Sequence, residues 1–393
     1  MIKYEDAKRL MLTSAGRTAV ERVGLDDADG RILAEDIVSD VDMPPFNKSA
    51  MDGYACRRED LGLDGLTVID EIPAGCQPGR EIRPGTCARI FTGAPVPEGA
   101  ETIVMQEHVE RVGNRIRIVK VDAAQNICFR GEDVRAGDIV LRRGDRISPT
   151  HIAVLATVGS TRPLVACRPR VTLFSTGSEL VEPHVKPGAA QIRNSNGGQL
   201  AAQIRSAGAL PRNGGILADD EAMMTEAFRR AMSSSDLIVV SGGVSTGEYD
   251  LVPGILGKLG FEIVYKSVGI QPGRPTLFGK CDSVFCCGLP GNPVASYVMF
   301  ELLVKPFIFR MMGHAYRPLV VEARVAAPLK RDGAKRQACI PVRFLAPDLV
   351  EPLPYHGPAH ISTMVDVEGL IVTPPGGISL EAGERIQIQT IPR

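Results

Sequence analysis

The sequence predicts a multidomain chain of class α/β plus β. A central α/β domain with a parallel sheet lies between a β-rich region and a small C-terminal β-barrel. Three observations predict this. From residue 169 to about 315, apolar runs of strand length alternate with helical segments, the pattern of βαβ units with right-handed crossovers. Residues 58–129 instead read as short strands separated by Gly and Pro, with turns about every eight to twelve residues as in all-β folds. After residue 316 that all-β pattern returns.

The totals fit this organisation. A chain of 393 residues carries a soft prior of roughly two to four domains. Hydrophobic residues at 44% and charged residues at 23% suit a soluble globular protein. A net charge of −1 argues for no nucleic acid and no membrane as partner. No apolar run approaches the roughly 20 residues of a membrane span. The N-terminus MIKYEDAKRLMLT is charged where a signal peptide is apolar, so a cytoplasmic protein is expected. The nine Cys are irregularly spaced and form no CxxC pair, which argues against a disulfide framework and a zinc site. Strand alternation sends the vicinal thiols of Cys286 and Cys287 to opposite faces, as core residues.

Residues 5–15 read as a helix, with a second near 17–23. Pro44-Pro45 stops any helix. GLTVIDEI, GTCARIFTG, TIVMQE and RIRIVK are the strands of the β-rich region. Phe91 to Pro95 is a tight turn carrying the Thr92 hydroxyl. Arg130-Gly131-Glu132-Asp133 precedes a short strand flanked by Gly-Asp turns, and His151 to Val158 is helical. RVTLFSTG then opens the α/β domain. Asn194-Ser195 caps the helix GGQLAAQIRSAG. Asp219 and Asp220 open EAMMTEAFRRAM, acids at the favourable helix end. Asp236 to Val240 is a buried strand, VPGILGKLG a helix, and FEIVYKSVGI and SVFCCGLP are strands. Asn292-Pro293 caps a long helix that Pro306 should kink or divide. LVVEARVAA, ACIPVRFL, GLIVTPP and RIQIQTI form the barrel.

The candidate chemistry sits in four loops of the α/β domain. Ser175-Thr176-Gly177-Ser178-Glu179 follows one strand. Asp219 stands at a helix start. Ser241-Gly242-Gly243 leads to Asp250. Gly288-Leu289-Pro290-Gly291-Asn292-Pro293 feeds a helix N-terminus. Strands pointing one way place all four loops at one sheet edge, where exposed backbone N–H groups bind anions. The Gly pair lets backbone approach a phosphate. Carboxylates around such a cleft repel one another unless a cation bridges them, which points to phosphate plus Mg²⁺. Each loop alone is equally consistent with a plain turn. His356 and His360 are four apart, but Pro358 between them makes a loop, not a helical metal pair.

Six ordered motifs carry a resemblance: SAMDGYA (49–55), FTGAPVPEGAETIVMQE (91–107), RGEDV (130–134), FSTGSEL (174–180), SGGVSTGEYD (241–250) and GLPGNPVAS (288–296). Together they resemble the molybdopterin molybdenumtransferase family, that of bacterial MoeA and the gephyrin E domain, over nearly the whole chain. The resemblance implies Mg²⁺-dependent cleavage of adenylated molybdopterin. Molybdate then supplies molybdenum to the dithiolene, giving molybdenum cofactor and AMP. It implies a homodimer, with molybdopterin adenylyltransferase and molybdoenzyme maturation factors as further partners. It also implies an elongated, discontinuous dimerisation domain (1–45 and 130–167) and a β-rich inserted domain (46–129). The α/β molybdopterin-binding domain (168–315) and the C-terminal β-barrel (316–393) complete the chain. The catalytic residues it implies are Asp52, Asp133, Glu179, Asp219 and Asp250. Glu179, Asp219 and Asp250 would hold Mg²⁺ or position water. Asp52, Thr92 and Asp133 would reach in from the other protomer. Ser241, Gly242 and Gly243 would cradle phosphate, with Ser175, Thr176, Gly177, Pro290, Gly291 and Asn292 in the neighbouring binding loops.

The chain departs from the family on the oxyanion side. A KPGKP-like loop is here Gln271-Pro272-Gly273-Arg274-Pro275, so Gln271, Arg274 and Pro275 are its candidate binding residues. Pro341 falls where a barrel strand usually carries Arg. Arg343, two residues on and on the same face, is the candidate substitute. A Gly-Ser pair is here Gly357-Pro358. Lys266 could add charge near the first loop. The alternative reading is a diverged paralogue that binds molybdopterin or a protein partner as a scaffold, without inserting metal.

Overall fold

A computed structural model of the chain describes residues 1–121, 123–244, 251–332, 336–353 and 360–391. A six-stranded sheet positions the candidate site. In chain order its strands are β1 (Arg170–Thr176), β2 (Leu210–Leu217), β3 (Leu237–Ser241), β4 (Glu262–Tyr265), β5 (Leu277–Cys281) and β6 (Val284–Leu289). Their spatial order is β2-β1-β3-β6-β5-β4. β2, β1, β3 and β6 are parallel. β5 runs antiparallel to both β6 and β4. The sheet is therefore mixed, which corrects the expectation that every strand points the same way. Only Asp282 and Ser283 link β5 to β6, too few for the crossover that parallel strands require. Asp282 takes φ 50 to close this hairpin.

Alternation along the strands builds two cores. Leu237, Val239, Phe285 and Cys287 face one side, and Ile238, Val240 and Cys286 face the other. The vicinal cysteines thus divide between the two faces, as strand geometry requires.

The helices follow local signals, with informative exceptions. Asn194 accepts from the Gly197 N–H at 2.9 Å and starts Ser195–Ser206. Asp220 accepts from the Met223 N–H at 2.8 Å and starts Glu221–Met232. Asn292 has a cap's extended backbone but makes no side-chain cap bond. The long helix after it divides as Pro306 requires. Pro293–Met299 passes through a π-helical turn, Phe300–Val304, into Lys305–Met311. Pro306 has no N–H for the Leu302 carbonyl, and its ring crowds that turn. Tyr4 donates to the Leu302 oxygen at 3.4 Å instead. Burial pushes the Tyr4 phenol above its ordinary pKa, which keeps it a donor. Its helix, Tyr4–Ser14, packs Ala7 and Met11 into the same core as Phe307 and Ile308.

The expected helix near 17–23 is instead a strand, Val20–Arg22, paired with Leu164–Ala166. Thr18, Val20 and Val23 are β-branched and favour that extended state. Ile37–Val38 pairs with Ile139–Leu141, so residues before and after the β-rich region share one small core around Leu33, Leu141 and Leu155. Between them lies a second six-stranded sheet, which includes Gly53–Cys56, Leu66–Ile72, Thr86–Ile90 and Thr102–Met105. At the C-terminal end, Gln337–Ala346, Leu349–Pro352, Val320–Val325, Arg385–Thr390 and Gly369–Val372 close into a barrel, because Gln337–Ala346 also pairs with Gly369–Val372. Ile270–Gln271 adds to this barrel beside Gln337 and Ala338. Among the described residues, no helix is long and apolar enough to cross a membrane.

Candidate functional site

The carboxyl ends of β1, β2, β3 and β6 meet in a cleft of about 280 Å³. Thr176, Gly177, Glu179, Asp219, Gly242, Gly243, Pro275, Pro290 and Gly291 are among its lining residues. The four loops read from the sequence therefore converge, and Pro275 adds the Gln271–Pro275 loop. Parallel pairing is the cause: β1 pairs with β2 through Thr176 and Leu217, and β3 with β6 through Ser241 and Leu289.

The Ser241–Gly243 turn rests on glycine. Gly242 and Gly243 take φ 94 and 64. A Cβ on Gly242 would lie 2.7 Å from the Thr176 carbonyl oxygen and 2.8 Å from its hydroxyl. A Cβ on Gly243 would lie 2.9 Å from that hydroxyl. The Gly242 N–H donates to the Leu289 carbonyl at 3.0 Å, tying the two loops together.

One side chain ties three elements. Asn196, in the first turn of Ser195–Ser206, donates from Nδ2 to the Ser241 hydroxyl at 2.7 Å and to the Gly291 carbonyl at 2.8 Å. The carbonyl can only accept, which fixes the amide orientation. Ser241 in turn donates to the Pro290 carbonyl at 3.3 Å. Ser175 lies beneath, donating to Asn194 Oδ1 at 2.9 Å. Ser175 is thus a support for the helix cap and lies behind the lining. Sequence reasoning missed Asn196; its place in the first turn of a helix that starts at the site was the available signal.

The acidic side is also arranged. Asp219 Oδ2 accepts from the Ser178 N–H at 3.2 Å and the Ser178 hydroxyl at 3.1 Å. Glu179 lines the same cleft. Among the described residues, neither carboxylate has a cationic side chain as ion-pair partner. Asp250 lies outside the described residues, as do Gly357 and Pro358.

The remaining candidates lie elsewhere on the chain. Asp52 and Thr92 meet in the β-rich region. The Thr92 N–H donates to Asp52 Oδ1 at 2.8 Å, and its hydroxyl donates to the same oxygen at 2.7 Å. Those two bonds, the backbone one first, hold the Asp52 carboxyl below its ordinary pKa. Asp133 is exposed and lines a separate hollow of about 590 Å³ with Met43 and Val154. None of the three lines the Glu179 cleft within one chain.

On the oxyanion side, Arg343 is already engaged. It donates to Glu351 Oε2 at 3.0 Å and 2.7 Å and lies 3.9 Å from Asp366. The candidate substitute for the barrel arginine is thus shared with two carboxylates in an exposed pairing on the barrel. Gln271 instead meets two cations that sequence reasoning missed, Arg331 at 2.6 Å and Arg336 at 3.5 Å. The basic run from Lys330 to Arg336 was their signal.

Comparison with known proteins covers the chain from end to end. Residues 2–159 match the MoeA N-terminal region (domain I and II). Residues 172–310 match a probable molybdopterin binding domain, and 322–391 the MoeA C-terminal region (domain IV). A Nostoc molybdopterin molybdenumtransferase is 36% identical over 95% of this chain and 89% of its own. The Bacillus subtilis protein of that name is 32% identical over 99% of this chain and 94% of its own. A crystal structure of the molybdopterin biosynthesis moeA protein from Pyrococcus horikoshii superposes with a TM-score of 0.87, at 30% identity over 100% of both chains.

Proposed function

The chain belongs to the molybdopterin molybdenumtransferase family, and on that premise we propose that it cleaves adenylated molybdopterin and passes molybdenum from molybdate to the dithiolene. The observation that carries this is the convergence, in one cleft, of the Gly242-Gly243 turn and two carboxylates that have no cationic partner among the described residues.

The residues divide the work. Gly242 and Gly243 let their loop pack against Thr176, where a Cβ would collide, and so shape the cleft wall that receives the phosphate. Asn196 holds the β3 and β6 loops at fixed separation. Ser178 orients Asp219 through one oxygen and leaves Oδ1 for the reaction. Glu179 and Asp219 offer the carboxylate oxygens that Mg²⁺ takes, and Asp250, outside the described residues, is the third ligand that the resemblance implies. When bound, Mg²⁺ neutralises charge on the phosphoanhydride oxygens. The acids also position the attacking water.

The active assembly is a homodimer. Asp52, Thr92 and Asp133 are separate from the cleft in one chain, so a second copy brings them to it. Thr92 holds the Asp52 carboxyl below its ordinary pKa through two hydrogen bonds to one oxygen, leaving the other to accept there. The deciding experiment supplies adenylated molybdopterin, Mg²⁺ and molybdate, and measures AMP and active cofactor separately. Absence of AMP release refutes the enzyme. AMP release without cofactor favours the paralogue reading. Asp250→Asn is expected to abolish cleavage, and an unchanged rate removes Asp250 from the metal set.

A further inference from the structure

Three arginines gather without an acid where the N-terminal segment, the small core around Leu33 and the end of the Lys305–Met311 helix meet. Arg17 and Arg143 line a cavity of about 140 Å³ together with Thr18, Leu33, Met311 and Gly313. Desolvation, then the charges of Arg310 and Arg143, lower the Arg17 pKa from its ordinary value, so Arg17 feels both neighbours. Among the described residues, none of the three forms an ion pair. Other arginines of the same region do: Arg22 pairs with Glu35, and Arg31 with Glu21. Asp36 accepts from the Arg143 backbone N–H at 2.7 Å and makes no ion pair with its guanidinium. Like charges gathered this way repel unless an anion sits among them.

The cavity also holds a buried donor with nothing to serve. Thr18 Oγ1 is buried and has no hydrogen-bond partner among the described residues. A buried hydroxyl left so is destabilising, and it can donate to an oxyanion as a guanidinium does. The walls are fixed by backbone. The Thr18 N–H donates to the Met311 carbonyl at 3.0 Å, and the Gly144 N–H to the Leu33 carbonyl at 2.8 Å. Gly313 takes φ 94, and a Cβ there would run into the Arg17 guanidinium. Glycine thus lets that guanidinium lie against the backbone. At half the volume of the Glu179 cleft, the cavity is below the roughly 300 Å³ that enclose a drug-sized ligand. It suits one small ion. An anion with several oxygens meets each N–H fork with two of them.

We propose that this cavity seats one tetrahedral dianion of the phosphate or sulfate class, between the forks of Arg17 and Arg143 and the Thr18 hydroxyl. Arg310 adds charge from the helix end. The site shares no lining residue with the Glu179 cleft and stands whether or not the chain is a transferase. Arg17, Arg143 and Gly313 come from separate stretches of the chain. A bound anion therefore ties the N-terminal segment and the Leu33 core to the end of the α/β domain.

The test is amide hydrogen exchange on the full-length protein at Thr18 and Gly313, whose N–H groups bond the Met311 and Arg310 carbonyls at 3.0 Å each. Inorganic phosphate and sulfate are titrated in separate arms, with sodium chloride holding the ionic strength constant. At ten times the half-saturating concentration, exchange at both amides is expected to slow by roughly tenfold. Protection in either arm supports the site and names its ion. Arg17→Ala and Arg143→Ala are each expected to raise the half-saturating concentration by roughly tenfold or more. Arg17→Lys recovers only part of this, because it keeps the charge and loses the fork. Thr18→Val is the discriminating variant, since it keeps the shape and removes only the hydroxyl. Anion affinity is expected to fall while the ligand-free protein melts no lower than wild type. A lower ligand-free melting point with unchanged affinity overturns the proposal, as does protection no greater than chloride gives. Phosphate in the Glu179 cleft is read separately at the Gly242 amide, and protection confined to Gly242 also overturns the proposal.

Discussion

Asn196 gives the sharpest test of how the site is held. Its Nδ2 makes the bonds of 2.7 Å to Ser241 and 2.8 Å to Gly291. Asn196→Ala removes both. Neutral hydrogen bonds contribute about 1 kcal/mol each, so the two together give about 2 kcal/mol. Ser241 keeps its bond to Pro290, which limits the cost on that side. The Gly291 carbonyl loses this donor. The loss is local, so it reads best in amide hydrogen exchange at Gly242, whose N–H bonds the Leu289 carbonyl. At 1.36 kcal/mol per tenfold, opening there becomes about 30-fold more frequent. AMP release falls by roughly tenfold or more, because the two loops lose their register. Asn196→Asp is nearly isosteric yet worse, since it turns a carboxylate oxygen toward the Gly291 carbonyl. Wild-type exchange and turnover in Asn196→Asp would refute the reasoning.

Other outcomes follow from the same geometry. Glu179→Gln and Asp219→Asn are each expected to slow AMP release by about a hundredfold or more and to raise the Mg²⁺ concentration needed; a pair of variants with wild-type Mg²⁺ dependence would exclude them as metal ligands. Gly242→Ala puts Cβ 2.7 Å from the Thr176 carbonyl oxygen at φ 94, so phosphate binding should be lost while the β-rich region, followed by its own amide exchange, stays intact. Glu301 and Lys305 form a buried pair at 2.7 Å, with Gln203 donating to Glu301 at 2.9 Å; Glu301→Gln leaves a buried ammonium poorly paired and should cost about 3–5 kcal/mol, read as a lower denaturation midpoint. The Asp52 carboxyl is depressed in the folded state, so its contribution is present above the unfolded value of about 3.9 and lost as pH falls through the folded one. Thr92→Ala keeps the backbone donor but removes the hydroxyl, so the carboxyl midpoint seen by NMR should rise yet stay below the ordinary value.

Much of the fold was legible because it is written locally. Asn194 and Asp220 cap the helices they precede, and Cys286 and Cys287 divide between faces by alternation. Other features depend on partners far along the chain. Val20–Arg22 extends because Leu164–Ala166 is there to pair with it. β5 reverses the sheet because its link to β6 is short. The antiparallel pair Leu329–Asp332 with Gly377–Leu380 joins segments that share no local signal.

The site divides in the same way. The sequence alone determined which loops converge: strand ends rich in Gly, Ser and acids line one cleft once parallel strands place them together. It determined the family too, through six motifs whose order survives folding unchanged. Tertiary structure decided what each side chain has left to give. Arg343 is spent on Glu351, Ser175 supports a cap, and Asn196 became the tie between two loops. The hydrogen-bond partners of Gln271 were likewise decided by folding, since Arg331 and Arg336 lie 60 and 65 positions away. Residue types are local, but hydrogen-bond and ion-pair partners are set by contacts that only the folded chain makes.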